Sequence, residues 1–351
     1  MKKTQKFGLL ALLAGTAAIA APHTPLPDVS PINPGQHVVI NIPQQRLFLY
    51  VDGKLSKIYP VAVGKAATQT NLGRHIIGAK AYNPTWHIPK SIQKELKNGK
   101  TTVPPGPDNP LGPVFVRMGD PKLGLGIHGT NAPSSVPGVR SHGCVRMKSP
   151  DALEFAKTIT SGSPVDVTYQ MAAVNVDADN NVWLAAFRDP YNRKDLDTAA
   201  LRKSIDAWAK AHGKTVHTKR LDIVLKGRSG ALNCITCGSA AGKINGSLQS
   251  LAWTSGSGEL AKPVTAPPAP KPADQVLPEG SEIEVEEDAG AAATATPASK
   301  PEVSPQPASQ PEEPTQPATT SASETIPTRP TPTPKNVPAS YEYHEQTDSL
   351  F

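Results

Sequence analysis

Apolar and polar positions divide the chain into stretches of different character. From His37 the pattern has a period of two: residues 37–42, 46–51 and 57–63 are apolar-rich runs. Asp52-Gly53 lies between the second and third, the kind of dipeptide that turns a hairpin. Short strands are predicted over 74–79, 114–118, 125–128 and 164–169. Between 82 and 112 lies a section with Pro84, Pro89, Pro104, Pro105, Pro107 and Pro110, read as a long irregular loop of the kind that is usually functional. One helix is predicted after it. Ser149 caps, Pro150 suits the first helical position, Leu153, Ala156 and Ile159 make one apolar stripe, and Gly162 ends it. The pattern predicts a mainly β domain over 36–170, sandwich or barrel-like, with one main helix.

A smaller α+β unit is predicted over 171–240. Runs at 174–176 and 182–187 flank an Asp179-Asn180-Asn181 turn, and Asp197 or Thr198 caps a helix with Leu201, Ile205 and Trp208 on one face up to Gly213. A strand is expected over 221–225. The remainder, 241–351, is read as a low-complexity Pro-rich tail. The 89 residues from Pro263 hold 18 of the 38 prolines among Ala, Ser, Thr, Gln and Glu, with too little apolar surface to offset chain entropy, so they are expected to be disordered or polyproline-like. At the other end, 21–35 reads as an extended lead-in.

The first twenty residues determine the expected compartment. Lys2, Lys3 and Lys6 precede an apolar stretch from Phe7 to Ile19 that is too short to span a bilayer, and Ala18-Ile19-Ala20 supplies small residues for cleavage. Residues 1–20 therefore read as a signal peptide, with no cysteine near the cut to take a lipid and no transmembrane segment in the mature chain. Charge is divided as unevenly as proline. Residues from 263 onward carry 4 Lys+Arg against 14 Asp+Glu, leaving 32 against 16 for residues 1–262. A basic body suits an anionic surface such as a carboxylate-rich wall, and the lack of basic runs with interleaved aromatics argues against nucleic acid.

The chemistry concentrates in Ile127-His128-Gly129-Thr130 and Ser141-His142-Gly143-Cys144-Val145-Arg146-Met147. A cysteine with histidines two and sixteen residues before it, among glycines, is the composition of an activated thiolate. In an extended strand His142, Cys144 and Arg146 would share one face, and amides near Gly143 and Cys144 would suit an oxyanion. His128, at a strand end, is favoured over His142 as the base because proton transfer aligns more easily across strands than between neighbours on one strand. Arg146 suits a carboxylate through its planar fork, with a salt bridge inside the domain as the equal alternative. The chain has three cysteines, and Cys234 and Cys237 are close enough in sequence to pair, leaving Cys144 as the thiol. Zinc would need a fourth ligand beside His128, His142 and Cys144, so neither metal nor cofactor is expected.

His-Gly-Thr followed by Ser-His-Gly-Cys-Val-Arg-Met resembles the signature of L,D-transpeptidase (YkuD-type) catalytic domains, over about 36–170. Pro84-Thr85-Trp86 and residues 103–112 are similar to the proteobacterial periplasmic branch. The resemblance implies Cys144 as nucleophile, His128 as proton donor and acceptor, the Gly129 carbonyl as its orienter, His142 as support, and Gly143 in the oxyanion region. Ser141, Thr130 and Arg146 would meet substrate. It also implies the reaction: attack on the L-centre carbonyl of diaminopimelate in a peptidoglycan tetrapeptide stem, release of D-alanine, and transfer of the acyl group. The acceptor would be an amine in a 3-3 cross-link or on an outer-membrane lipoprotein, in the periplasm of a Gram-negative bacterium. With water instead, the enzyme would be a carboxypeptidase or amidase; a non-catalytic wall-binding protein is the reading from another class. One departure is 67–73, Ala-Thr-Gln-Thr-Asn-Leu-Gly, where the resemblance would place prolines and small residues.

Overall fold

The computed structural model describes residues 23–240, 242–265 and 275–284, all within the unit Met1–Ala292. The expected signal peptide 1–20 and most of the expected tail lie outside the described residues. Ten strands form the principal sheet, in the order Gly138–Ser141, Ala62–Gly64, Val145–Arg146, Gly126–His128, Val114–Met118, Gly73–Tyr82, Pro164–Thr168, Gln36–Asn41, Arg46–Val51 and Lys54–Pro60. The Asp52-Gly53 hairpin forms with both residues at positive φ, 48° and 73°, as its tight turn requires.

The run read as one strand over 57–63 is two strands. Pro60 pairs with Arg46 at one edge of the sheet, whereas Ala62 pairs with Gly138 and Arg146 near the other. Only Val61 stands between them, bonded through its amide to the Gln45 carbonyl and through its carbonyl to the Gly138 amide. A flat ten-stranded sheet would hold its edges tens of ångströms apart, since neighbouring strands lie about 4.8 Å from each other. The sheet must therefore curl until its ends meet. Inside the curl pack Val38, Ile40, Leu47, Tyr59, Val116, Met118 and Ile127, and the helix Ser149–Thr158 adds Ala152, Phe155 and Ala156, with the Phe155 ring edge-on to Tyr59 at 6.0 Å. Ser149 opens this helix from inside its first turn, and Lys148 occupies the cap position.

The section 82–112 has more regular structure than expected. It contains the strands Thr85–His87 and Thr102–Val103 and the helix Lys90–Leu96. Buried Asn109 fastens its proline-rich part: its amide donates to the Pro84 carbonyl at 2.8 Å and its side-chain oxygen accepts from the Leu111 amide at 2.9 Å.

The second unit is a five-stranded sheet, Asn233–Cys234, Val182–Ala186, Ala172–Val176, Gln249–Ala252 and Glu259–Leu260, under the helices Thr198–Ala211 and Thr218–Gly227. Two expectations are corrected. Residues 221–225 are helical: Leu221, Val224 and Leu225 face the core at helical spacing while Ile223 points outward, 70% exposed, and Lys219, Arg220, Asp222 and Lys226 flank them. The unit also does not end at 240, because two of its strands come from the segment read as tail. Cys234 and Cys237 are joined by a disulfide. None of the helices among the described residues is long and apolar enough to cross a membrane.

Candidate active site

A parallel ladder pairing Ile127 with Val145 and His128 with Arg146 sets the two motifs side by side. On its other flank Gly126–His128 runs antiparallel to Val114–Met118, with His128 opposite Phe115 and the two rings stacked at 6.1 Å. The imidazole is buried, and its Nδ1 lies 2.6 Å from the Gly129 carbonyl. Only a protonated nitrogen donates to a carbonyl, so the neutral ring carries its hydrogen on Nδ1 and leaves Nε2 as the acceptor. Burial, and then the charge of Arg146, outweigh the Gly129 and Leu111 carbonyls and bring the His128 pKa down from 6.5 to about 3. The ring is thus neutral near neutral pH. Gly112 approaches this turn so closely that a Cβ there would fall 2.7 Å from the Thr130 nitrogen.

Around Cys144 the chain departs from the expected alternation. The ladder stops at Ser141 and resumes at Val145, and Gly143, at φ 120°, turns the backbone between them. His142, Cys144 and Arg146 therefore do not line one continuous strand face. Ser141 is buried and builds the turn: its hydroxyl donates to the Cys144 carbonyl at 2.5 Å and accepts the Gly143 amide at 3.2 Å. The Gly143 N–H is thus engaged within the loop. Cys144 is 7% exposed, its Sγ 3.5 Å from the Gly124 carbonyl, in an apolar cluster with Ala81, Trp86, Ile88, Leu111, Phe115 and Ile283. The Arg117 guanidinium lies 5.5 Å from the Phe115 ring centre. Its pKa is lowered by burial, against which the charge of Cys144 acts.

His142 stands between Lys65 and Glu95, each 3.4 Å from its Nε2. Burial and the Lys65 charge together outweigh Glu95 and lower its pKa. It thereby bridges the loop after Ala62–Gly64 and the helix Lys90–Leu96. Thr130 is buried, its amide and carbonyl both bonded to the Ser149 hydroxyl, at 3.2 and 3.0 Å. It borders a cavity of about 410 Å³ lined also by Asn83, Gly106, Pro107, Gly112, Pro113, Asn131 and Ser149, a lining that includes neither Cys144 nor His128. Arg146 is half-buried and paired with Ala62 as well as His128. Among the described residues no group of three or more His, Cys, Asp or Glu side chains is placed to hold a metal ion.

Two residues absent from the motif reading support the cysteine loop. Thr70, buried in the segment where the sequence departs from the expected pattern, donates its hydroxyl to the Gly143 carbonyl at 2.7 Å and accepts the Gly64 amide at 2.9 Å. Tyr191, beyond the catalytic domain, donates to the Gly64 carbonyl at 2.9 Å and accepts the Thr70 amide at 3.2 Å. The only sequence sign of the first was the departure at 67–73, and of the second there was none.

Residues 35–167 match the model of the YkuD family, the L,D-transpeptidase catalytic domain. A Bacillus subtilis (strain 168) protein named as an L,D-transpeptidase, YkuD, is 30% identical over 159 residues, 45% of this chain and 79% of that protein. The chain belongs to the L,D-transpeptidase family. An Escherichia coli (strain K12) protein named as a probable L,D-transpeptidase, ErfK/SrfK, is 29% identical over 58% of this chain and 67% of its own length. The chain spans 57% of another Escherichia coli relative, named as a probable L,D-transpeptidase, YcfS. Among solved structures, an L,D-transpeptidase from Mycobacterium smegmatis is 22% identical over 38% of this chain and 58% of that one, with a TM-score of 0.30. As a member of the L,D-transpeptidase family, the chain has its two motifs inside the matched region.

Proposed function

We propose that the protein is a peptidoglycan L,D-transpeptidase in which Cys144 is the nucleophile and His128 the proton carrier. The observation that carries this reading is the pairing of Gly126–His128 with Val145–Arg146, which brings a neutral imidazole, fixed through Nδ1, beside the loop that holds a buried thiol. In the first half-reaction the thiol proton passes to His128 Nε2 and Sγ attacks the L-centre carbonyl of diaminopimelate in a tetrapeptide stem. The C–N bond to D-alanine breaks, the imidazolium returns its proton to the leaving amine, and a thioester remains on Cys144. In the second, an acceptor amine gives its proton to His128 and attacks the thioester, forming an amide and restoring the thiol. Arg146 and Thr130 are placed here as contacts for the stem, and His142 as support for the loop.

The acceptor is a second diaminopimelate amine, giving a 3-3 cross-link, or a lysine of an outer-membrane lipoprotein. Export with residues 1–20 as signal places the enzyme in the periplasm, where wall construction occurs. A Cys234–Cys237 disulfide suits such an oxidising compartment, and a basic body suits a polymer rich in carboxylates. The test is incubation of the purified protein with tetrapeptide-rich muropeptides and competing amines, read by mass spectrometry. Cross-linked or amine-capped product with released D-alanine is expected, and none with Cys144→Ala. Full activity in Cys144→Ala would overturn the mechanism, and products bearing only water would turn the transferase into a hydrolase.

A further inference from the structure

Residues 275–284, from the acidic proline-rich segment, lie along the catalytic domain as an added strand. The strand Pro164–Thr168 covers Gly73–Tyr82 only as far as Ile76. Beyond it the edge at Lys80 is taken by the tail: the Lys80 amide donates to the Gln275 carbonyl and the Leu277 amide to the Lys80 carbonyl, both at 2.7 Å. The line continues from the Gly280 amide to the Tyr82 carbonyl and from the Thr85 amide to the Ser281 carbonyl. Then Glu282–Glu284 pairs in parallel with Thr85–His87. Among the described side chains of this segment, one is deeply buried. Ile283, 2% exposed, enters the cluster that holds Cys144, Trp86, Leu111 and Phe115.

The remaining contacts are polar and peripheral. Asn83 donates to the Glu279 carboxylate at 2.7 Å, and the Glu282 carboxylate lies 3.2 Å from His87 Nε2, a buried nitrogen without a well-directed hydrogen bond. Val276 and Leu277 are exposed. Attachment through main-chain bonds and one aliphatic anchor is tolerant of sequence, and such strand addition is open to replacement by another extended peptide. We infer that residues 275–284 are a tethered strand that closes the Cys144 site, and that an extended peptide must displace it before acyl transfer. As regulation of the proposed active site, this rests on Cys144 being the reacting group.

Alkylation of Cys144 by iodoacetamide in the full chain tests the cover without any substrate. Ile283→Asp expels that side chain from the cluster it shares with Cys144, and Leu277→Pro removes the amide bonded to Lys80; neither residue lies within the His128 or Cys144 motif. Each is expected to raise the alkylation rate on the order of tenfold, Ile283→Asp by losing part of the buried aliphatic anchor and Leu277→Pro by losing the main-chain bond to Lys80. A synthetic peptide of residues 275–288 added to the Ile283→Asp chain is expected to slow labelling again. Labelling at the wild-type rate in both variants, with amide exchange over Thr85–His87 either unchanged or accelerated, overturns the inference. Faster labelling in variants of a chain that never transfers an acyl group would keep the cover and sink the transpeptidase reading; acyl transfer with labelling indifferent to both variants would do the reverse.

Discussion

His128 is held neutral by its burial and by Arg146, and this has a consequence for stability as well as for chemistry. Its folded pKa, about 3, lies below the 6.5 of the unfolded chain, so between these values the unfolded state binds more protons. Stability should therefore fall as pH drops from about 6.5 toward 3, and be unaffected by this group above that window. Replacing His128 by Gln should flatten that part of the slope, leaving the contribution of the likewise lowered His142 in place. Unfolding midpoints of the two proteins between pH 7 and 4.5 check this, and equal slopes would show that the ring does not titrate as described. Cys144 and His128 were legible as candidates because each sits beside a glycine in a short motif rich in chemistry-bearing residues. Thr70 and Tyr191 were not, because what each touches lies far away in sequence: the Gly143 carbonyl is 73 residues from Thr70 and the Gly64 carbonyl 127 from Tyr191.

Elements were legible where two local signals agreed. The first hairpin has both alternation and Asp-Gly, and the helix Ser149–Thr158 has both a stripe and a proline start. Residues 221–225 offered a short apolar run that fits either period, and only the neighbours Lys219, Arg220 and Lys226 favour helix. The alternation expected through 142–146 failed because a glycine at positive φ interrupts it. The segment between Ala62–Gly64 and Gly73–Tyr82 acts through Thr70 as a brace on the cysteine loop, with Tyr191 behind it. Tyr191→Phe and Thr70→Val should each lower kcat more than they raise KM. Each should also cost about 1–3 kcal/mol, the scale of a buried polar group left without its partner. Because they share one network, the double variant should cost less than the sum of the singles. Additive losses in a double-mutant cycle would show that the two act separately.

For the molecule as a whole, His37, Asp166 and Arg74 tie three neighbouring strands to the lead-in. His37 Nδ1 accepts the Ile32 amide at 3.2 Å, its Nε2 lies 2.9 Å from Asp166, and Arg74 donates to both oxygens of that carboxylate at 2.8 and 2.7 Å. Burial pushes the Asp166 pKa up, but hydrogen bonds from Arg74 and His37 and their charges outweigh it and hold the carboxyl well below the ordinary range. The stabilisation is thus present above the unfolded value of about 3.9 and is lost as pH falls below it. Asp166→Asn should destabilise the protein at pH 7 by about 2 kcal/mol, mostly from the buried His37 side, since exposed Arg74 is screened. It should also reduce the acid sensitivity below pH 4, and denaturant unfolding at pH 7 and pH 3 measures both.

The lead-in itself has most of its partners late in the chain. The Leu26 amide donates to Asn175, the Asp28 amide to Gln170 and the Asp28 carboxylate accepts from Thr254, while Ile32–Asn33 pairs with Val264–Thr265. A chain that emerges with its first residue leading, from a ribosome or through a membrane pore, therefore cannot settle its earliest segment until some 230 residues later have followed, counting from Ile32 to Val264. Until then that segment stays open to proteases and chaperones, and completion of the fold is in effect a report that the whole folded body has arrived.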